Sequence, residues 1–210
     1  MDLKNIKAVI FDCDGVMFNT ARANRLFYDE LLEYFGKKPL TDEQFTEVHM
    51  YTVAKALEYL FPELENLDKV KLRLKEIGYD KFIKYMDMEK GFKELLKQLK
   101  ENAYIRGIAT NRTNTMEKVL TDYNLKDEFD IVVTASDVES PKPAPDQLIK
   151  IMDHFKIKGE QILFIGDSRF DELAASNAGT LFAAFKSPSL NALFHFDNMN
   201  QIGELLGINQ

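Results

Sequence analysis

The chain has 210 residues, 45% hydrophobic and 29% charged, enough for one large core or a core with a modest insertion. Its formal net charge of −7 provides no basic surface to match a phosphate backbone, which argues against nucleic acid as a partner. The single cysteine, Cys13, excludes an internal disulfide, and no apolar signal region or membrane-length apolar run is visible, so we expect a cytoplasmic protein without a membrane partner.

The first predicted strand is Ala8–Phe11, an apolar run of the kind that is buried on both faces of a sheet. Asp12 and Asp14 follow at once, and residues two apart in an extended chain point to the same side. Two carboxylates at one spot repel each other unless a cation lies between them or one of them holds a proton. Gly15 then permits a sharp turn. The alternative is that both aspartates are ordinary turn residues.

The stretch from residue 16 to residue 89 has helical spacing of its apolar residues, and we predict no strand within it. Thr41 is a candidate N-cap for one helix of this block. The other predicted helices cover 21–35, 53–61, 67–77 and 79–85.

Strands alternate with helices after residue 89. Strands are predicted at 104–109, 129–133, 161–165, 180–185 and 194–196, and helices at 91–100, 115–123, 145–155, 171–177 and 202–206. This alternation indicates a parallel sheet with right-handed crossovers. The predicted fold class is therefore α/β. Residues 1–15 and 90–210 would form a Rossmann-like parallel sheet core with helices on both faces, and residues 16–89 a small all-α domain inserted after the first strand.

Polar residues follow several of these strands, at the edge where open parallel sheets bind ligands. Thr110-Asn111-Arg112 follows the second strand, Lys142 lies in the loop after the third, and Asp167 and Asp171 follow the fourth. Each residue taken alone also has a structural explanation. Thr110-Asn111 is compatible with a helix N-cap, Lys142 with a solvated loop, Asp167 with a helix cap and Asp171 with a first helical turn that favours carboxylates.

Taken together, the four segments resemble the haloacid dehalogenase superfamily, in particular its subgroup I phosphatases with a helical cap, of the phosphoglycolate phosphatase and β-phosphoglucomutase kinds. The segments that match are Asp12-Cys13-Asp14-Gly15-Val16, Thr110-Asn111, Lys142-Pro143 and Gly166-Asp167-Ser168-Arg169-Phe170-Asp171. Their order and spacing fit, and the insertion falls where this subgroup carries its cap domain. The resemblance covers nearly the whole chain.

The resemblance implies a role for each residue. Asp12 would be the nucleophile that forms an aspartyl-phosphate, and Asp14 the general acid and base. The cofactor would be Mg²⁺, held by Asp12, the backbone carbonyl of Asp14 and Asp167. Phosphoryl oxygens would be bound by Thr110, the backbone N–H of Asn111 and Lys142, which also balances the charge of Asp12. Asp171 would orient Lys142 or reach the metal through water.

In the cap, the segment 46–52 corresponds to the loop that faces the active site in relatives, so the resemblance makes His49 and Tyr51 candidates for contacts with the leaving group. The alternative is that both lie on a helix surface. We expect a Mg²⁺-dependent phosphatase acting on a small phosphorylated metabolite, as a monomer or weak homodimer. A sugar phosphomutase is the alternative, although the absence of Arg from 46–52 favours hydrolysis. A phosphonate hydrolase and a non-catalytic binding protein are less favoured.

Overall fold

The computed structural model describes residues 3–49 and 51–208, so Met50 of the 46–52 segment lies outside the described residues. The chain divides into a larger unit, formed by residues 1–19 and 87–210, and a smaller unit, formed by residues 20–86. None of the helices in the described part of the chain is long and apolar enough to cross a membrane.

The strands and helices follow the predicted alternation. The strands are β1 (Ala8–Phe11), β2 (Phe18–Asn19), β3 (Asp87–Met88), β4 (Ile105–Thr110), β5 (Ile131–Thr134), β6 (Ile162–Gly166), β7 (Leu181–Phe185) and β8 (Phe194–Phe196). The helices are α1 (Ala21–Tyr34), α2 (Asp42–His49), α3 (Val53–Leu60), α4 (Asp68–Ile77), α5 (Phe92–Glu101), α6 (Met116–Asp122), α7 (Asp146–Phe155), α8 (Arg169–Ala178) and α9 (Asn200–Leu206).

The larger unit is built on a six-stranded sheet with the order β5-β4-β1-β6-β7-β8. Every neighbouring pair in this sheet is parallel, which confirms the predicted α/β class. After β1 the chain adds β4 and β5 on one side and then β6, β7 and β8 on the other. The strand order therefore reverses at β1, and the crevice at the carboxyl end of such a switch point is where these sheets bind ligands.

Alternate residues of the buried strands face opposite layers of the core. Ala8 and Ile10 of β1 belong to a cluster that includes Leu148 of α7 and Ala174 of α8. On the other face, the ring of Phe11 meets Phe92 of α5 edge to face, with ring centroids 5.2 Å apart. Helices thus cover both sides of the sheet, and β1 has no face in water, as its continuous apolar run predicts.

The described residues of the smaller unit form helices and 3₁₀ turns without a strand. The helix α1 packs against α4 and a 3₁₀ turn at Asp80–Tyr85. Thr41 caps α2 as predicted, because its Oγ1 accepts the N–H of Gln44 at 3.2 Å while Gln44 Oε1 accepts the N–H of Thr41 at 3.0 Å.

The prediction that no strand lies between residues 16 and 89 is wrong. The strands β2 and β3 pair antiparallel, with Phe18 opposite Met88 and Asn19 opposite Asp87. Strands of two residues contain too few positions to show alternation, so periodicity cannot reveal them. Because both strands belong to the larger unit, the smaller unit covers residues 20–86 instead of the expected 16–89.

Candidate active site

The turn after β1 brings Asp12 and Asp167 together. The N–H of Asp12 donates to the carbonyl of Ile165 at 2.9 Å, which continues the β1–β6 ladder and fixes the Asp12 backbone beside the end of β6. Gly15 has φ of +77°, and a Cβ atom at this position would lie 1.9 Å from Asp167 Oδ2. Only glycine combines this left-handed conformation with so close an approach of a carboxylate.

Lys142 is the centre of the polar cluster. Its Nζ lies 2.8 Å from Asp12 Oδ1 and 2.6 Å from Asp171 Oδ1, and it donates to the carbonyl of Ala109 at 3.0 Å. An ammonium has three N–H donors, so these three acceptors use all of them. The residue is only 5% exposed, and the alternative of a solvated loop lysine is therefore wrong.

The start of α8 holds Asp171 in place. Its Oδ2 accepts the N–H of Ser168 at 3.0 Å and the hydroxyl of Ser168 at 2.5 Å, while its Oδ1 faces Lys142. Ser168 is the N-cap of α8, so the alternative that Asp167 caps this helix is wrong. Asp171 serves two purposes at once, since it completes the capping box and orients the Lys142 ammonium.

The acidic side chains at this edge of the sheet form a set that suits a divalent cation. Asp12, Asp167 and Asp171 each offer a carboxylate oxygen, and these atoms all lie within 4.8 Å of one another. Carboxylate oxygens are hard ligands of the type that Mg²⁺ prefers, and the single ammonium of Lys142 does not balance three carboxylates. Asp14 contributes no side-chain oxygen to this set, and metal binding by its backbone carbonyl stays a prediction.

The electrostatics of the cluster reflect first its burial and then this excess of negative charge. Burial raises the pKa of Asp12 from 3.8 to about 7, opposed by Lys142 and assisted by Asp171 and Asp14. Burial also raises the pKa of Asp167 to about 8, and the charges of Asp12 and Asp171 act in the same direction. For Lys142, burial alone would lower the pKa, but the neighbouring Asp12 and Asp171 carboxylates raise it.

The end of β4 contributes Thr110 and Asn111. Thr110 is 1% exposed, and its backbone carbonyl accepts the amide of Gln147 at 2.7 Å. The side chain of Asn111 donates to the carbonyl of Lys142 at 2.9 Å and so ties the Lys142 loop to β4. The alternative that Thr110-Asn111 caps a helix is wrong, because α6 begins only at Met116. The phosphate contacts expected of Thr110, Asn111 and Lys142 stay predictions.

Arg112 is a member of the site that the sequence reasoning missed. Its Nε donates to Asp14 Oδ2 at 2.7 Å and its Nη2 to Asp14 Oδ1 at 2.6 Å, a bidentate ion pair. The only signal was its position directly after Thr110-Asn111 at a strand end. Cys13, by contrast, is fully buried, and burial raises the pKa of its thiol.

His49 and Tyr51 belong to the smaller unit. His49 Nδ1 lies 3.3 Å from Asn24 Nδ2, and its ring stacks on Phe45 with centroids 5.1 Å apart. The hydroxyl of Tyr51 donates to Glu47 Oε2 at 2.8 Å. Their contact with a leaving group stays a prediction.

Comparisons with known proteins agree on one family. The model of the haloacid dehalogenase-like hydrolases matches residues 9–185. A structure of a superfamily hydrolase of subfamily IA, variant 1, from Geobacter sulfurreducens is 39% identical, covers 97% of both chains and has a TM-score of 0.86. A putative phosphoglycolate phosphatase from Lactobacillus plantarum is 24% identical, covers 95% of this chain and 99% of its own, and has a TM-score of 0.79. Pyrophosphatase PpaX from Bacillus cereus is 29% identical over 182 residues, which are 85% of this chain and 82% of that protein.

Replacing Gly15 by alanine tests the close approach at the β1 turn. We expect Gly15→Ala to weaken Mg²⁺ binding and to lower the free energy of unfolding by about 2 kcal/mol or more, because the methyl group meets the Asp167 carboxylate in a strained conformation. Gly36→Ala is the matched control, since Gly36 has φ of +68° and nothing within 4 Å of its Cβ position. It should cost only about 1 kcal/mol of backbone strain and leave Mg²⁺ binding intact. Equal effects of the two variants on calorimetric Mg²⁺ titrations would contradict this account.

The raised pKa values of Asp12 and Asp167 predict how stability depends on pH without divalent metal. Between pH 4 and pH 8 the folded protein keeps protons that the unfolded chain has released, so the free energy of unfolding falls as pH rises through the folded pKa values of about 7 and about 8. Each such carboxyl contributes up to about 1.4 kcal/mol per pH unit. Denaturant unfolding in the presence of a chelator, at pH 5 and pH 8, measures the effect.

The variant Asp167→Asn isolates the contribution of one carboxyl. Because its amide carries no charge, this variant should be more stable than the wild type at pH 8 by roughly 1–3 kcal/mol, and the advantage should shrink at pH 5. The contrary result is a free energy of unfolding that rises between pH 5 and pH 8, and rises more for the wild type than for Asp167→Asn. It would show that positive charge within the fold already compensates the carboxylates.

Proposed function

The chain belongs to the haloacid dehalogenase-like hydrolases, and from this premise we propose that it is a phosphatase that hydrolyses a small phosphate monoester through an aspartyl-phosphate on Asp12. The observation that carries the proposal is the position of Asp12. It lies at the switch point of the sheet, with Lys142 Nζ 2.8 Å from its Oδ1 and the Asp167 carboxylate close by. A carboxylate attacks an anionic phosphate poorly unless nearby groups neutralise charge, and here Lys142 and a bound cation would do so.

In the first step, a carboxylate oxygen of Asp12 attacks phosphorus, and the bond from phosphorus to the leaving oxygen breaks. The leaving oxygen keeps the electron pair of that bond and takes a proton from Asp14. In the second step, a water oxygen attacks the same phosphorus and gives a proton to Asp14. The bond between Asp12 and phosphorus breaks, which releases inorganic phosphate and restores both carboxyl groups.

The remaining residues balance charge and fix the positions of the reacting groups during these steps. Lys142 keeps a positive charge next to Asp12 throughout, because Asp171 and the Ala109 carbonyl fix its ammonium. Thr110 and the backbone N–H of Asn111 would bind phosphoryl oxygens at the end of β4. Asp12, Asp167 and the backbone carbonyl of Asp14 would hold Mg²⁺, which supplies Lewis-acid neutralisation of the phosphoryl charge when bound.

The smaller unit, residues 20–86, is proposed to be the cap that selects the substrate, with His49 and Tyr51 as the candidate specificity residues. Pyrophosphate is a second candidate substrate, because relatives that are 29% identical over 85% of this chain are named pyrophosphatases. Both substrates offer a phosphoryl group on an oxygen leaving group, so the same chemistry serves either.

A substrate panel tests the proposal. Purified protein with Mg²⁺ is assayed for phosphate release from alkyl, sugar and aryl monoesters and from pyrophosphate, with and without a sugar bisphosphate. Release of inorganic phosphate supports the phosphatase. Interconversion of sugar phosphate isomers without release, dependent on the bisphosphate, would instead establish the phosphomutase.

Replacing the proposed nucleophile gives a direct prediction. We expect Asp12→Asn to lower phosphate release at least about 10³-fold, because an amide does not form the covalent intermediate. The variant should fold, since Lys142 keeps Asp171 as its ionic partner. Asp127→Asn, at an exposed position of the same unit, serves as the control and should match the wild type, and EDTA should stop turnover until Mg²⁺ is restored. Full activity of Asp12→Asn would exclude the covalent route.

A further inference from the structure

The carboxyl group of Asp14 is held by one side chain through both of its oxygens. Arg112 Nε and Nη2 approach Asp14 Oδ2 and Oδ1 at 2.7 Å and 2.6 Å, so the planar fork of the guanidinium lies in register with the carboxylate. Such bidentate pairs fix orientation as well as distance. The Arg112 side chain is 8% exposed, whereas that of Asp14 is 39% exposed. The Asp14 side chain is thus partly open to solvent, and its bidentate contact with the buried Arg112 restricts its orientation.

Arg112 is itself fixed by two further contacts. Its backbone N–H donates to Thr110 Oγ1 at 3.2 Å, and its Nη1 donates to Thr115 Oγ1 at 3.2 Å, just before α6. The guanidinium is thus anchored to the loop between β4 and α6. Through Arg112, this loop sets the position of a side chain that follows β1, 98 positions away in the sequence.

A group that moves a proton to a leaving oxygen must present a carboxyl oxygen at hydrogen-bond distance and in the right direction. Each carboxylate oxygen has two lone-pair sites, so an oxygen that accepts one N–H of Arg112 retains a second site for a substrate or water. The proton that Asp14 donates would occupy that second site on one oxygen, so the fork of Arg112 holds the carboxyl group without taking the place of the proton.

We propose that Arg112 is a positioning residue for proton transfer by Asp14. This inference rests on the proposed function, in which Asp14 protonates the leaving oxygen. The competing explanation is that the ion pair only ties the β1 turn to the β4 loop. The two differ in one measurable respect, which is whether the loss of Arg112 harms some leaving groups more than others.

The leaving group distinguishes the two explanations, because different leaving oxygens depend to different degrees on a proton from Asp14. When the phosphorus–oxygen bond of an alkyl monoester breaks, the electron pair stays on a strongly basic alkoxide oxygen, which needs the proton of Asp14. The p-nitrophenolate oxygen of p-nitrophenyl phosphate spreads that charge over its ring and needs little help. Because kcat/KM contains only the steps up to the first irreversible one, hydrolysis of the common intermediate does not enter the comparison.

The experiment compares kcat/KM of the Mg²⁺-loaded enzyme for p-nitrophenyl phosphate and for the best alkyl monoester of the panel. For Arg112→Ala we expect a loss of roughly 10²-fold with the alkyl ester and under about 10-fold with the aryl ester. Asp14→Asn should show the same selectivity with a larger alkyl loss. Arg112→Lys, which keeps the charge without the fork, should fall between Arg112→Ala and the wild type. It also provides the test if Arg112→Ala does not fold.

Arg106 supplies the matched control. It is the second residue of the same strand β4 and pairs bidentately with Asp130, with Nε to Oδ2 at 3.2 Å and Nη2 to Oδ1 at 2.8 Å. Arg106→Ala should lower the melting temperature while leaving the ratio of the two kcat/KM values unchanged.

The outcomes separate the inference from the function on which it rests. Equal losses with both esters in Arg112→Ala or Arg112→Lys, beside a selective loss in Asp14→Asn, would overturn the positioning role alone. A wild-type enzyme that hydrolyses neither ester, or an Asp12→Asn variant that hydrolyses both, would overturn the proposed function instead.

Discussion

The candidate site depends on the buried ammonium of Lys142, whose three N–H groups reach Asp12, Asp171 and the carbonyl of Ala109. Carboxylates this close together and this well buried repel one another and lose hydration, and the ammonium offsets part of that cost. Without the lysine, Asp12 and Asp171 would be unpaired buried charges. With it, one side of the Asp12 carboxylate is neutralised, and the excess negative charge that remains is what a divalent cation would balance.

The sheet topology makes this arrangement possible. Strand order reverses at β1, so the segments after β1, β4 and β6 end beside one another although they lie far apart in sequence. Two close approaches then need glycine. Gly15 leaves room for the Asp167 carboxylate, and a Cβ at Gly166 would lie 2.2 Å from Asp171 Cβ. The helix cap of α8 adds a third constraint, because the carboxylate that caps the helix is also the one that holds Lys142.

Much of the fold and of the candidate site could be predicted from local patterns in the sequence. The central strands are short apolar runs, and Asp12 and Asp167 follow two of them directly, so alternation and the switch-point rule placed both at one edge. The environment of Lys142 was harder to predict, because a lysine between two prolines has no local sign of burial. Its partner Asp171 also comes from α8, far along the chain. Arg112 was missed because its pairing with Asp14 spans 98 positions, and β2 and β3 were missed because two-residue strands have no period.

The central claim is that Asp12, held beside Lys142, takes up the phosphoryl group. The most direct test mixes the enzyme with a radiolabelled phosphate ester, quenches with acid within one turnover and maps the label to a peptide. The account predicts label on the peptide that contains Asp12, removable by hydroxylamine as an acyl phosphate is, and no label on the Asp12→Asn variant. Label on another residue, or continued turnover with no labelled protein at any quench time, would contradict it.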